Sequence, residues 1–219
     1  MQIKKFWKLY PSTNRIGILS KRVVVSNKVK KKLKRFGKEY FDGDRTHGYG
    51  GYYYNKKFFK KIAKSLINHY ELNNQSKILD VGCAKGYLMH DLKHYLPRAE
   101  IKGVDISSYC KKNAISTVKR NIEICSCNNL PFKNNYFDLV ISISTIHNLK
   151  KNQIKKSLKE ILRVGKDKFF IRVKAYKNLK EKKKIDDWNL VANSNLSQKE
   201  WFNLFSETGY FGDYDFSNF

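Results

Sequence analysis

The chain has 219 residues, enough for one α/β domain with a sizeable core plus an extension and too few for two full domains. Lys and Arg number 45 against 19 Asp and Glu, a formal charge of +26 that invites an anionic partner, yet only eight of the 45 are arginine, the better residue for forked phosphate recognition, so the charge reads as composition more than as a nucleic-acid footprint. Four cysteines with no C-x-x-C pair and no apolar run of membrane length exclude a zinc site, a disulfide framework and a transmembrane span, and predict a soluble, cytoplasmic protein without a structural metal.

Residues 1–55 read as a basic extension ahead of a main domain at 56–219. The extension carries an apolar patch at Val23, Val24 and Val25 and a lysine cluster over residues 28–35, which as a block of like charge is expected to stay solvated. Residues 41–54 differ from it, because glycines alternate with tyrosines. Such a stretch can fold its backbone closely over a ligand while rings such as Tyr49 and Tyr52 cover it, and it is expected to move as a lid; simple packing of the tyrosines on the domain is the competing expectation. A helix over residues 56–70 follows.

Ile78, Leu79 and Val81 form the short apolar run of a strand buried on both faces, and it leads into a glycine-punctuated turn and a helix ending near Tyr95. Asp80 is expected to face a crevice at the strand's end, and Gly82, Cys83, Ala84 and Gly86 to form a ligand-binding turn with amide donors at the helix start. The G-x-x-x-G spacing is neither the dinucleotide G-x-G-x-x-G nor the phosphate-cradling G-x-x-x-x-G-K-[ST].

A second strand over residues 100–106 ends at Asp105, nineteen residues beyond Gly86, where a carboxylate can accept from both hydroxyls of a ribose, with Ile106 beside it. A third strand near 121–125 leads to Ser126 and Cys127, and a fourth over 137–142, ending at Ser142, delivers residues 143–149 to the edge of the sheet where open α/β sheets collect ligands. Histidine ordinarily titrates near neutrality, so His147 in that segment is the candidate general base, with a cap on the next helix or a part of the pocket wall as its competing role. Beyond it come a helix at 154–164, a strand at 168–173, a charged linker at 177–184, a helix at 198–208 and a last strand in the tail. Six strands are countable, and a seventh is either absent or hidden around residues 189–196.

DVGCAKG resembles motif I of the class I S-adenosylmethionine-dependent methyltransferases, with Ala84 in place of the middle glycine. GVDIS resembles their motif II, residues 126–132 their adenine-side segment with Ser126 in place of the usual aspartate, and FDLVIS their fourth strand. The resemblance implies a Rossmann-like doubly wound, mostly parallel sheet of six or seven strands, and S-adenosylmethionine held by Tyr49, Tyr52, Asp80, Gly82, Cys83, Ala84, Gly86, Asp105, Ile106, Ser126, Cys127 and Ser142. FGKEYFDGDR, GYGGY, TIHNL and GYFGDYDF are similar to a branch of stand-alone bacterial methyltransferases associated with surface-polysaccharide or secondary-metabolite genes, which implies O-methylation of a small or nucleotide-linked, anionic acceptor, with His147 as base. The motifs for methylating exocyclic amines or carbon-5 of bases are missing after residue 142. Methylation of RNA, and a non-catalytic cofactor-binding module, stand as the alternatives.

Overall fold

The computed structural model describes residues 1–6, 17–18 and 25–217. Its sheet has six strands, β1 (Lys77–Val81), β2 (Glu100–Asp105), β3 (Ile122–Ile124), β4 (Phe137–Ile143), β5 (Gly165–Lys174) and β6 (Asp213–Ser217), in the order β3-β2-β1-β4-β5-β6. Every neighbouring pair is parallel.

Alternation along the strands builds a core on each face. Ile78, Ile101, Leu139, Ile141 and Phe170 point to one side and pack against α3 (Lys56–Tyr70) and α4 (Tyr87–Tyr95). Leu79, Val81, Val104, Val140, Phe169, Ile171 and Val173 point to the other and meet α6 (Lys151–Val164) and α8 (Gln198–Thr208). Strands buried on both faces are why the sequence shows continuous apolar runs rather than alternation. Helix ends follow local chemistry: the Asn55 side chain accepts from the Phe58 amide at the start of α3, and Ser197 and Glu200 form a capping box on α8, which ends at Gly209 in the left-handed conformation.

The remaining helices are α1 (Asn27–Leu33), α2 (Lys38–Phe41), α5 (Ser108–Lys112) and α7 (Leu179–Trp188). α1 contains most of the lysine cluster, capped by Ser26 and seated on the buried Leu33; Val23 and Val24 lie outside the described residues. α7 occupies the stretch expected to be a charged linker. The Asn178 side chain caps it, Ile185 anchors it, and Lys182 and Asp186 pair one turn apart on its wet face. No strand lies at 189–196; just beyond it Ser197 makes a single bridge to Tyr176. β6 pairs directly with β5, and Ile3 bridges to Tyr214 on its other side. No helix among the described residues is long and apolar enough to cross a membrane.

Strand order reverses between β1, which continues toward β2, and β4, which continues toward β5. The crevice beyond the carboxyl ends of β1 and β4 is where an open sheet of this kind binds ligands.

Candidate functional site

A cavity lies at that reversal, walled by the glycine turn, the ends of β2 and β4, the start of the segment after β3, and aromatic rings from residues 36–52. The turn is wired inward. The Gly82 and Cys83 amides both donate to the Val104 carbonyl, at 2.8 and 3.1 Å, the Gly86 amide to the Cys83 carbonyl at 2.9 Å, and the Ala84 amide to Asp105 Oδ2 at 2.8 Å. The amides of Gly82, Cys83, Ala84 and Gly86 thus hold the turn and Asp105, and the helix that was expected to offer its first amides begins just beyond them at Tyr87.

Two left-handed residues need their surroundings. A Cβ on Gly82, at φ +85°, would come within 2.0 Å of Thr145 Oγ1, so only glycine lets the β4 loop approach this closely. Ala84 keeps φ +49°, a strain on the order of 1 kcal/mol for a residue with a Cβ, fixed by its bond to Asp105.

Lys85 explains how residues 36–54 are held. It is 4% exposed, and its ammonium donates to both Asp42 oxygens at 2.9 and 2.7 Å and to the Tyr52 carbonyl at 3.0 Å. Asp42 also accepts from the Tyr109 hydroxyl at 2.6 Å and the Tyr52 amide at 2.9 Å. Around this pair the Tyr49 ring stacks parallel to Phe41 and tilts against Tyr52, while Arg45 bonds the Gly48 carbonyl and lies over the Trp188 ring of α7. The tyrosines thus both pack on the domain and line the cavity.

Of the residues expected to bind a cofactor, Tyr49, Tyr52, Gly82, Ala84, Asp105, Ile106, Ser126 and Cys127 line the cavity. Asp80, Cys83, Gly86 and Ser142 stand behind its wall. Cys83 faces Gly103, Gly86 starts α4, and Ser142 is fully buried with its hydroxyl on the Val81 carbonyl, tying β4 to β1. His147 was expected at the mouth of the site, but its ring lies beneath the surface at 4% exposure and outside the cavity lining, in the 3-10 turn Ile146–Asn148. Its Nδ1 is a buried atom with no hydrogen-bond partner among the described residues. Burial first, then the charges of Lys174 and Arg172, hold its pKa well below the usual imidazole value, so the ring is neutral at pH 7.

Phe36, Tyr40, Phe41, Ser144, Thr145 and Asn148 line the cavity without having been singled out from sequence. The turn carrying Ser126 and Cys127 is held from α6: Arg163 donates to the Leu130 and Phe132 carbonyls at 2.9 and 2.7 Å, and Glu160 accepts from the Leu130 amide.

At the acidic end, Asp105 accepts from the Ala84 amide through Oδ2 and from the Ser107 amide through Oδ1, both at 2.8 Å. Burial raises its pKa, and these bonds oppose the rise without cancelling it. Asp80 is pushed up to about 7, by burial and then by the charge of Asp105.

Residues 78–168 match the family model of a methyltransferase domain. A protein of Methanocaldococcus jannaschii, itself uncharacterised, is 31% identical over 130 residues, 59% of this chain and 47% of that one, so the chain spans about half the length of this relative. Among solved structures, YcgJ of Bacillus subtilis is similar with a TM-score of 0.54 at 19% identity, over 67% of this chain and 66% of its own. A methyltransferase-like protein of Methanococcus maripaludis gives 0.52 at 22%, over 69% and 76%. Phosphoethanolamine N-methyltransferase 2 of Haemonchus contortus, solved with phosphomonomethylethanolamine and S-adenosylhomocysteine, gives 0.54 at 17%, over 67% and 36%. At these identities the structural likeness establishes the fold.

Asp80 makes the ligand-free fold sensitive to pH. Its folded pKa, about 7, stands above the ordinary carboxylate value of 3.8, so the folded state keeps a proton that the unfolded chain has lost. The stability this gives is complete below pH ~4 and disappears as the pH rises toward 7. Asp80→Asn should therefore gain on the wild type in denaturant titrations between pH 5 and 7.5; a constant difference across that range would remove the shifted carboxyl.

Proposed function

We propose that this chain, whose residues 78–168 match a methyltransferase-domain model, is a class I methyltransferase that binds S-adenosylmethionine in the cavity and transfers its methyl group to a small acceptor. The observation that carries the reading is Asp105. Its two oxygens are each fixed by a backbone amide at the end of β2 and keep lone pairs for the two hydroxyls of a ribose, opposite a glycine turn that lets the ligand come close. The rings of Tyr49, Tyr52, Phe41 and Phe36 supply faces for the adenine and the sulfonium, and Ser126 and Cys127 border the adenine end. Ser126 offers a hydroxyl where a carboxylate would bind the adenine amine more strongly.

The acceptor on this reading is anionic, either small or nucleotide-linked, and methylated on oxygen. Lys34, at the end of α1, reaches Asn193 beside the cavity edge and would draw such a molecule. The solved Haemonchus contortus protein holds phosphomonomethylethanolamine together with S-adenosylhomocysteine, a precedent that supports a phosphorylated acceptor. The branch of stand-alone bacterial enzymes that the sequence resembles adds surface-polysaccharide or secondary-metabolite synthesis as the setting. The oxygen–methyl bond forms as the sulfur–methyl bond breaks, S-adenosylhomocysteine leaves neutral at sulfur, and the hydroxyl proton passes to bulk water, so catalysis rests on positioning the acceptor oxygen in line with the methyl. His147 supports the wall from behind, its neutral ring packed away from the cavity.

Calorimetry with S-adenosylmethionine and S-adenosylhomocysteine tests the cofactor site: Asp105→Ala should weaken both by tenfold or more, the worth of charge-assisted bonds at about 1.5–3 kcal/mol. Wild-type affinity in that variant would sink the assignment. Labelled S-adenosylmethionine offered with sugar nucleotides, phosphorylated metabolites and RNA should identify the acceptor. On that acceptor His147→Gln should lose less than tenfold in turnover, whereas a general base would be worth roughly 10²–10⁴-fold.

A further inference from the structure

The cavity's two sides differ in chemistry. On the cofactor reading above, Asp105 and the aromatic rings take the nucleoside, which leaves the β4 wall of Ser144, Thr145 and Asn148 to the acceptor. Ser144 sits at φ +56°, a conformation unfavourable for any residue with a Cβ, and β5 and β6 hold it there. The Ser144 amide donates to the Arg172 carbonyl at 2.8 Å, Arg172 Nη1 donates to Ser144 Oγ at 3.4 Å, and Arg172 Nε donates to Asp215 Oδ2 at 2.9 Å. Asp215 is buried. A relay of side chains thus runs from inside the sheet to the cavity wall, and a serine that accepts from a guanidinium keeps its own hydrogen to donate.

Asn148 is fixed from the other direction. Its Oδ1 accepts from Asn189 Nδ2 at 3.3 Å, and its carbonyl accepts from the Asn193 amide at 3.1 Å and from Asn193 Nδ2 at 2.8 Å. With Oδ1 engaged, the side chain has its amide nitrogen, a donor, to offer to the cavity it lines. Positive charge backs this wall. Arg172 and Lys174 act on His147 directly behind it, and Lys34 at the end of α1 reaches Asn193 Oδ1 at 2.8 Å, placing the lysine helix beside the same edge.

We propose that Ser144 and Asn148 form a donor pair that binds an oxyanion of the acceptor, a carboxylate or a phosphate, with Arg172 and Asp215 as positioning residues for Ser144. Two fixed donors match oxygens that have only lone pairs to give, and they disfavour an ammonium in the same place.

Acetate and inorganic phosphate serve as probes, each titrated by NMR into the protein saturated with S-adenosylhomocysteine. The wild type should bind at least one, and which one binds assigns the oxyanion. Ser144→Gly should weaken it about tenfold while S-adenosylhomocysteine affinity stays within twofold. Glycine accepts φ +56° without strain, which offsets the loss of the long bond from Arg172 Nη1, so the melting temperature of this variant should stay close to that of the wild type, which separates a binding role from a structural one. Arg172→Lys should recover part of the anion affinity lost in Arg172→Met. Failure of the wild type to bind either anion, or wild-type anion affinity in Ser144→Gly, overturns the proposal; failure of the wild type to bind S-adenosylhomocysteine overturns the cofactor reading instead.

Discussion

A buried ion pair joins the two halves of the cavity. Lys85 stands inside the glycine turn, where a long cation has no route to water, and Asp42 reaches it from the segment that precedes α3. Burial alone would raise the Asp42 carboxyl, but Lys85, Tyr109 and the Tyr52 amide outweigh it and leave the group below its ordinary value. Removing one partner from such a pair strands the other charge, at a cost of about 3–5 kcal/mol when both are fully buried and less here because Asp42 keeps some exposure. The aromatic wall is therefore set by the same turn that shapes the ligand crevice. Tyr54, whose hydroxyl donates to the fully buried Asp91 of α4, adds a second attachment a few residues on.

Residues whose reason is local were legible in the sequence. The helix at Lys56–Tyr70 has its Asn55 cap and one apolar face, the helix at Gln198–Thr208 has its capping box and terminal glycine, and β1 is an unbroken apolar run into glycines. Asp105 could be found because its distance from Gly86 reflects one strand–turn–helix–strand unit. Residues whose reason lies across the fold were not legible. Thr145 matters because it crosses over Gly82, Lys85 because Asp42 arrives from forty-three positions earlier, and Asn148 because Asn189 and Asn193 close on it. α7 was misread for a different reason. Its lysines dominate the pattern, while one buried Ile185 and the Asn178 cap are enough to hold a helix whose opposite face is wet. The bonds by which β2 and Asp105 hold the amides of the glycine turn were likewise not legible, because they join strands that are distant in sequence.

The charges around the cavity are arranged by sign. Asp80 and Asp105 lie toward β1 and β2, both raised because burial and, for Asp80, the neighbouring carboxylate penalise their ionised forms. Toward β4 and β5, Arg172 and Lys174 add their charge to burial in keeping His147 neutral. A cation entering between them lowers its energy toward Asp105, and an anion toward Lys174, since the guanidinium of Arg172 is paired with Asp215. On the proposed chemistry this orients the sulfonium and the acceptor toward one another from opposite walls. When a methyl group passes from a sulfonium to an oxyanion, both charges vanish, so a poorly solvating surround raises the reactants more than the transition state. The rings of Phe36, Phe41, Tyr49 and Tyr52 supply that surround on the open side, and Ile143 and Leu149 supply it below. Binding and chemistry then ask for different things from the same wall. Donors at Ser144 and Asn148 hold one end of the acceptor, while the reacting oxygen must lie beyond their reach, against apolar surface. An acceptor with its oxyanion set apart from its nucleophile satisfies both demands, and one in which the two are the same atom would be held by the very bonds that blunt its attack.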